Sequence, residues 1–379
     1  MAEAPRSRPL RRGTRPPVPL PPRVKVIVLF GGQSAEHDVS RLSAANVIGA
    51  LDPERYEIVP VGIGRDGTWM LAGAADAQLP SASGPSEPAG LGGLAIAGPT
   101  IDVVPTVRHA NEAGVDVPVV VLPVLHGPNG EDGTIQGLLE LTGAAYVGSG
   151  VLGSAVGMDK AMAKAVLGAA GVPQARYRVA RGWELTDDLV ADIAADLGFP
   201  IFVKPANMGS SVGVSRAIDA AALDVAIDAA LAHDEIVIFE EAITGRELEI
   251  AVLGNEHPRV SVVGEIIPAA EFYDYDDKYR DGAAKTVVPA DLPPGAAEEM
   301  GDLALRTFRA LRAEGLARVD MFYDEGGRGF VVNEINTFPG FTPISMFPML
   351  WAATGLSYSE LLDEMIRLAL DRHARRHRG

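Results

Sequence analysis

The chain has 379 residues, 47% of them apolar and 22% charged, with a formal net charge of -17 and no cysteine. That is more than one ordinary domain holds and enough apolar material for a sizeable core, so two or three domains are expected. The lack of cysteine excludes a disulfide framework, a thiolate zinc site and a cysteine nucleophile and fits the reducing cytoplasm, while the acidic balance argues against nucleic acid as a partner.

Residues 1–23 are basic and rich in proline, which opposes helix and sheet alike. A disordered tail is expected there, either simply solvated or docked on an acidic surface or an SH3-like groove. RVKVIVLFGGQSAEHDVS then reads as an apolar strand, a Gly-Gly turn and a helix starting near Ser34, a junction whose backbone N–H groups and positive dipole end suit an anion or a substrate. YEIVPVGIG and VPVVVLPVLHG are further strands, and continuous apolar runs joined by helices predict a parallel sheet covered on both faces. Between them, residues 75–115 form a small, Pro- and Gly-rich insertion. No apolar run approaches the roughly 18 residues a membrane span needs, so no membrane is expected as a partner.

HGPNGEDGTIQG, residues 126–137, ends a buried strand in a polar loop at the carboxyl edge of that sheet, where open α/β sheets hold ligands. His126 is there either an ordinary turn residue or a ligand contact. GSGVLG, residues 148–153, matches G-x-G-x-x-G, but no acidic residue follows at the spacing a dinucleotide needs, so it reads as a linker into a helix. Next come a helix (MDKAMAKAVLGAAG), a strand (ARYRVA), a helix (TDDLVADIAADLG) and the strand FPIFVKP. IVIFEEAI, LEIAVLG and VSVVGEII then follow as an expected antiparallel sheet. FYDYDDKYRDG, residues 272–282, is a lid or a plain exposed loop, and SYSELLDEMIRLALDRHARR closes the chain as an amphipathic helix with a basic C-terminal end.

Only six of the 33 basic residues are lysines, so a retained lysine marks a place where a compact point charge is wanted. Lys204 ends the FPIFVKP strand just before NMGSSVG, whose backbone and hydroxyl donors can cover phosphates, although a Gly-Ser turn between strands would look the same. GLARVDMFYDEGGRGFVVNEINTFPG reads as two strands joined by a Gly-rich turn. A turn centred near Gly327 sets Asp320 opposite Glu334 and Arg318 opposite Asn336, all on one face with Val332 further back. Three oxygen-bearing side chains without His or Cys suit magnesium, and with the arginine they point to phosphoryl transfer; a solvated polar face is the alternative.

The segments FGGQSAEHDVS, LHGPNGEDGTIQG, GSGVLGSAVGMDK, KPANMGSSVGVS, FYDYDDKY and NEINTFPGFTPISMFP stand in this order, and together they resemble the D-alanine–D-alanine ligase family of the ATP-grasp superfamily, from about residue 24 to 370. The resemblance implies an α/β fold, α+β in its ATP-binding half. A parallel-sheet substrate domain (24–148) is followed by a central (149–238) and a C-terminal (239–379) ATP-grasp domain, whose antiparallel sheets sandwich ATP. It further implies Lys160 and Lys204 at the phosphates, Glu240 and Glu247 at adenine and ribose, and Asp320, Glu334 and Asn336 as ligands of two Mg2+, with Mn2+ an acceptable substitute. Glu36, supported by His126, would hold the first D-alanine's ammonium, with Ser210 and Tyr279 linked to Glu36 to close the site. Lys278 would touch the transferring phosphate, Arg318 and the Gly340 amide would face the oxyanion, and Ser345 with the Met346 amide would grip the second carboxylate. The implied reaction makes D-alanyl-D-alanine for peptidoglycan through an acyl phosphate; D-lactate or D-serine as acceptor, or a non-catalytic nucleotide binder, are the alternatives. Tyr279 favours the dipeptide. A homodimer is expected.

Overall fold

VKVIVLFG is apolar at nearly every position, and it forms the strand β1 (Val24–Gly31), buried along almost its whole length at the centre of a sheet. The computed structural model describes residues 19–72, 93–110, 117–268, 285–342 and 344–377. With β1 run β2 (Tyr56–Ile63), β3 (Trp69–Leu71), β4 (Val119–Val124) and β5 (Ala145–Tyr146), in the order β3-β2-β1-β4-β5, parallel except for the antiparallel edge strand β3. Helices α1 (His37–Ala50), α2 (Val103–Ala110) and α3 (Thr134–Thr142) cover it. Helix α1 starts later than Ser34 because that serine closes a turn first. Its hydroxyl donates to the His126 carbonyl at 2.7 Å and accepts from the Glu36 amide at 3.2 Å.

The helix expected over MDKAMAKAVLGAAG is α5 (Lys160–Ala169), and a separate helix, α4 (Val151–Met158), precedes it where GSGVLG reads as a linker. Asp159 separates them in an extended conformation, and its carboxylate caps α5 by accepting from Met162 N at 2.9 Å. The break turns α5 so that Lys160 is its first residue.

A second sheet joins β6 (Tyr177–Arg181), β7 (Ile201–Pro205), β8 (Ser215–Ala217) and β9 (Ile236–Glu241) in the order β6-β9-β7-β8, all antiparallel, backed by α6 (Asp187–Leu197) and α7 (Ala220–Leu231). A third joins β10 (Arg246–Gly254), β11 (Arg259–Ile267), β12 (Lys285–Val287), β13 (Gly315–Asp324) and β14 (Gly329–Asn336) in the order β12-β11-β10-β13-β14, also antiparallel, backed by α8 (Ala296–Ala310). The strand IVIFEEAI therefore does not join LEIAVLG and VSVVGEII in one sheet. It is β9, inserted between β6 and β7, and the chain crosses to the third sheet only at β10.

The second sheet has a core of its own, in which Val203, Val237 and Phe239 meet Leu223, Ile227 and Ile193. The first and third sheets instead share one, where Val28 and Phe30 of β1 lie in the same cluster as Leu316, Trp351 and Ile366. The closing helices α9 (Met346–Thr354) and α10 (Tyr358–Arg376) seal that junction. A capping box between Ser357 and Glu360 starts α10, and near its end Arg372, 3% exposed, donates to the carbonyls of Gly148 and Tyr146 at 2.9 and 3.0 Å. The Tyr146 ring lies under that guanidinium, 3.9 Å from ring centre to Cζ. Among the described residues no helix is long and apolar enough to cross a membrane.

Candidate active site

Strands β10, β13 and β14 alternate faces, and the face turned toward the second sheet carries the polar residues. Register pairs Glu249 with Asp320 across β10 and β13, and pairs Asp320 with Glu334 and Arg318 with Asn336 across β13 and β14. The pairs are the expected ones, with a different cause. The hairpin register shifts between Asp320 and Met321, because Asn333 is an extra residue on β14 opposite a single step of β13. Val332 consequently does not share the face of Glu334 and Asn336. It packs with Phe330 and Ile335 into the core beneath α8, and the bulge is what turns an apolar strand polar at its end.

Arg318 lies on this face in a carboxylate fork. Its Nε and Nη2 donate to Asp320 Oδ1 and Oδ2 at 2.7 and 2.8 Å, and its Nε is 2.9 Å from Glu249 Oε2. Burial works against the guanidinium's charge, but Asp320 and Glu249 more than offset it and hold its pKa well above the usual value. Asp320, Glu334 and Asn336 line one cleft of about 750 Å³ between the second and third sheets, with Glu247 and Lys204. Among the described residues no cluster of three His, Asp or Glu side chains is preassembled for a metal, the trio here being two carboxylates and an amide. Its donors are nonetheless all oxygen and adjacent in register, which fits a hard cation such as Mg2+ that keeps waters of its own.

Helix α5 and the second sheet supply positive charge. Lys160, presented by the break at Asp159, donates to the Met208 carbonyl at 2.6 Å and stands 3.8 Å from Glu334. Lys204 on β7 donates to Glu240 Oε2 at 2.8 Å and reaches Asn333 Oδ1 at 3.4 Å. Glu240, on β9, is 4% exposed, and its other oxygen lies 2.9 Å from the Lys164 ammonium. Burial would raise the Glu240 carboxyl, but Lys204 and Lys164 overcome it and bring its pKa down to about 2. Burial likewise opposes the charge of Lys204, and Glu240 outweighs it, so that pKa is raised.

Between these walls runs the loop NMGSSVG. Ser210 and Ser211 have φ of 50° and 58°, a left-handed conformation that costs a non-glycine residue on the order of 1 kcal/mol. The strain aims Ser210 Oγ at Glu36 Oε1, to which it donates a short hydrogen bond. Glu36, 8% exposed, sits just before α1, and a Cβ on Gly127 or Gly209 would come within 2.8 or 3.1 Å of its Oε2. Glycine at both positions leaves the carboxylate where it lies, and the φ of 72° at Gly127 favours glycine as well. His126 is buried behind it, with Nδ1 3.4 Å from Glu131 Oε1. Burial disfavours its charged form, yet Glu131 outweighs that and its pKa is raised. Burial also pushes the Glu131 carboxyl up.

Beyond β14 the turn through Gly340 meets the start of α9. A Cβ on Gly340 would lie 3.1 Å from Ser345 Oγ, which accepts from the Thr342 amide at 3.1 Å, and Met346 is the first residue of the helix. Thus Lys160, Lys204, Ser210, Glu240, Glu247, Asp320, Glu334 and Asn336 line the cleft, Glu36 lines an adjoining pocket, and Arg318 and His126 reach the lining through Asp320 and Glu131, whereas Gly340, Ser345 and Met346 stand together around the start of α9 without lining it. Lys278 and Tyr279 lie outside the described residues. Lys164, Glu249 and Glu131 are partners that motif reading passed over. Glu249 had a signal, since it alternates with Glu247 along β10 and so shares its face; Lys164 had only the scarcity of lysine, and Glu131 had none.

Comparison with known proteins follows this geometry. Family models described as D-ala D-ala ligase N-terminus and D-ala D-ala ligase C-terminus match residues 25–149 and 166–367. A D-alanine–D-alanine ligase of Bacillus cytotoxicus is 44% identical over 354 residues, 93% of this chain and 97% of that protein. The D-alanine-D-alanine ligase structure from Coxiella burnetii superposes with a TM-score of 0.77 at 32% identity, covering 94% of this chain and 96% of that one. The VanG D-Ala:D-Ser ligase structure from Enterococcus faecalis gives 0.76 at 34% identity, covering 92% and 99%.

Proposed function

The chain belongs to the D-alanine–D-alanine ligase family, and from that premise we propose how its residues join two D-alanines at the expense of ATP. The observation that carries the assignment of roles is the single cleft in which Lys160 and Lys204 face Asp320, Glu334 and Asn336. Phosphate oxygens fit between them. Glu240 and Glu247 take the adenine and the ribose, and the second and third sheets close on the nucleotide. Asp320, Glu334 and Asn336 would hold two Mg2+, or Mn2+, which when bound neutralise charge on the transferring phosphate. Three domains go with this reading, but the boundary expected between 238 and 239 would cut β9, which pairs with β6 and β7 as far as Glu241, so the domains are 24–148, 149–241 and 242–379.

Glu36 receives the ammonium of the first D-alanine, its carboxylate fixed by Ser210 and backed by the His126–Glu131 pair. That fixes the substrate carboxylate toward the γ-phosphate, and its oxygen attacks phosphorus, giving an acyl phosphate and ADP. The second D-alanine is held by Ser345 and the Met346 amide at the start of α9, where the helix dipole favours a carboxylate. Its amine, once deprotonated, attacks the acyl carbonyl. The tetrahedral oxyanion forms beside Arg318 and the Gly340 amide, then collapses with loss of phosphate to leave the peptide bond. Lys278 and Tyr279 keep the roles the resemblance gives them, at the transferring phosphate and in the link with Glu36 and Ser210. The leaving phosphate is a stable anion and needs no acid.

The test is to incubate the protein with ATP, magnesium and D-alanine and to read ADP, phosphate and product by mass spectrometry, with D-serine and D-lactate competing. D-alanyl-D-alanine as the main product supports the reading. D-alanyl-D-serine as the main product would transfer the chain to the specificity named for the Enterococcus faecalis structure, and ATP binding without turnover would make it a non-catalytic relative. A homodimer in a reducing cytoplasm completes the proposal; the missing cysteines support the compartment, and light scattering tests the dimer.

A further inference from the structure

Glu240 is held by two lysines from different parts of the molecule, and only one of them has another task. Lys204 comes from β7 in the same sheet, reaches Asn333 across the cleft and faces the phosphates. Lys164 comes from α5, whose neighbours Ala163 and Leu167 pack into the core of the third sheet. It is 3% exposed, lies 2.9 Å from Glu240 Oε1 and has its ammonium 5.3 Å from the centre of the Tyr177 ring. Glu240 lines the cleft and Lys164 does not. We propose that Lys164 is a positioning residue for nucleotide selection, keeping Glu240 ionised and aimed at the base when Lys204 turns to the phosphates.

A carboxylate buried this deeply stays charged only while a cation is beside it. If Lys204 were its sole partner, each nucleotide that drew Lys204 away would leave Glu240 to take up a proton. Protonated, it can donate as well as accept, and it no longer discriminates a purine with an amino group at position 6 from one without. Held by Lys164, it remains acceptor-only, and it prefers the base that offers an N–H. Because Lys164 is rooted in the third sheet and Glu240 in the second, the pair also sets how far apart the two sheets stand at the base.

This inference rests on the assignment of Glu240 to the adenine, and the experiment separates the two. The ratio of kcat/KM for ATP to that for purine riboside triphosphate, which lacks the 6-amino group, is measured in the parent, Glu240→Gln, Lys164→Met and the double variant. A parent ratio of at least 10 that Glu240→Gln removes supports the adenine assignment, and a parent ratio near 1 sinks that assignment. Given the former, Lys164→Met is expected to cut the ratio at least fivefold through KM, with kcat falling less, and Lys164→Arg to restore it to within about twofold. A ratio left at the parent value in Lys164→Met, with only the melting temperature lowered, overturns the role of Lys164. Should Lys164→Met fail to fold, the double variant removes both charges and is compared with Glu240→Gln alone. Equal ratios there show that Lys164 acts through Glu240, and a difference of more than twofold overturns the proposal.

Discussion

Arg318 and Asp320, two residues apart on one strand, are joined by a two-pronged ion pair of 2.7 and 2.8 Å, so the proposed oxyanion donor and a proposed metal ligand hold each other in place. The pair needs a planar fork, which lysine lacks. Arg318→Lys is therefore expected to lower kcat by about 10²–10³-fold while changing the KM for ATP far less. Steady-state kinetics check it, and a loss confined to KM would show that Arg318 binds nucleotide instead.

Glu334 faces Asp320 across the hairpin and stands 3.8 Å from Lys160. Glu334→Gln keeps the shape and removes the charge, and a loss of about 10²-fold or more in turnover is expected, with the magnesium concentration for half-maximal rate raised. Near-parent activity at the same magnesium concentration would remove Glu334 from the metal set.

Ser210→Ala deletes the hydroxyl bonded to Glu36. A hydrogen bond to a charged group contributes about 1.5–3 kcal/mol, so the KM for the first D-alanine should rise about tenfold or more. The KM for ATP is expected to stay near its parent value, and an equal rise in both would point to collapse of the whole loop rather than loss of one contact.

Glu240 makes stability depend on acid. Its folded pKa is about 2 against a reference of 4.5, so it contributes stability that is fully present above pH 4.5 and is lost as pH falls toward 2. The shift corresponds to something on the order of 3 kcal/mol. In denaturant titrations the parent should lose stability faster than Glu240→Gln through that window, and parallel curves would contradict the linkage.

Arg372 holds the carbonyls of Tyr146 and Gly148 from the far end of α10. Its removal leaves both acceptors buried without that donor, so Arg372→Met is expected to cost about 2–4 kcal/mol, read as a lower denaturant midpoint. A midpoint unchanged from the parent would show that water replaces the guanidinium there.

The strands of this protein were legible because their apolar runs are long and bounded by Gly and Pro, and the polar ends of β13 and β14 announced a site because carboxylates sat where apolar residues were due. Asp320 and Glu334 were paired correctly, but the bulge at Asn333 that pairs them was invisible, since an extra residue leaves no mark on alternation until the register is known. Helix α4 was missed for a related reason: GSGVLGSAVG is rich in glycine and reads as a linker, and only the fold shows that it closes one helix before Asp159 caps the next. Membership of IVIFEEAI in the second sheet depends on which edge is free, a property of the tertiary fold rather than of the strand. Lys164 was unreadable because a buried lysine and a surface lysine on a helix look alike until something covers them.

The two antiparallel sheets are held apart by different means from those that fuse the first sheet to the third. Val28, Phe30, Leu316 and Trp351 make that fusion apolar. Across the cleft the links include Lys164 to Glu240, Lys204 to Asn333 and Arg328 to Glu241, all polar. Parting an apolar contact exposes surface that water disfavours, whereas parting a polar one lets water and salt take the place of each lost partner. The molecule thus has one weld and one zipper, and the nucleotide proposed for the cleft would enter along the zipper.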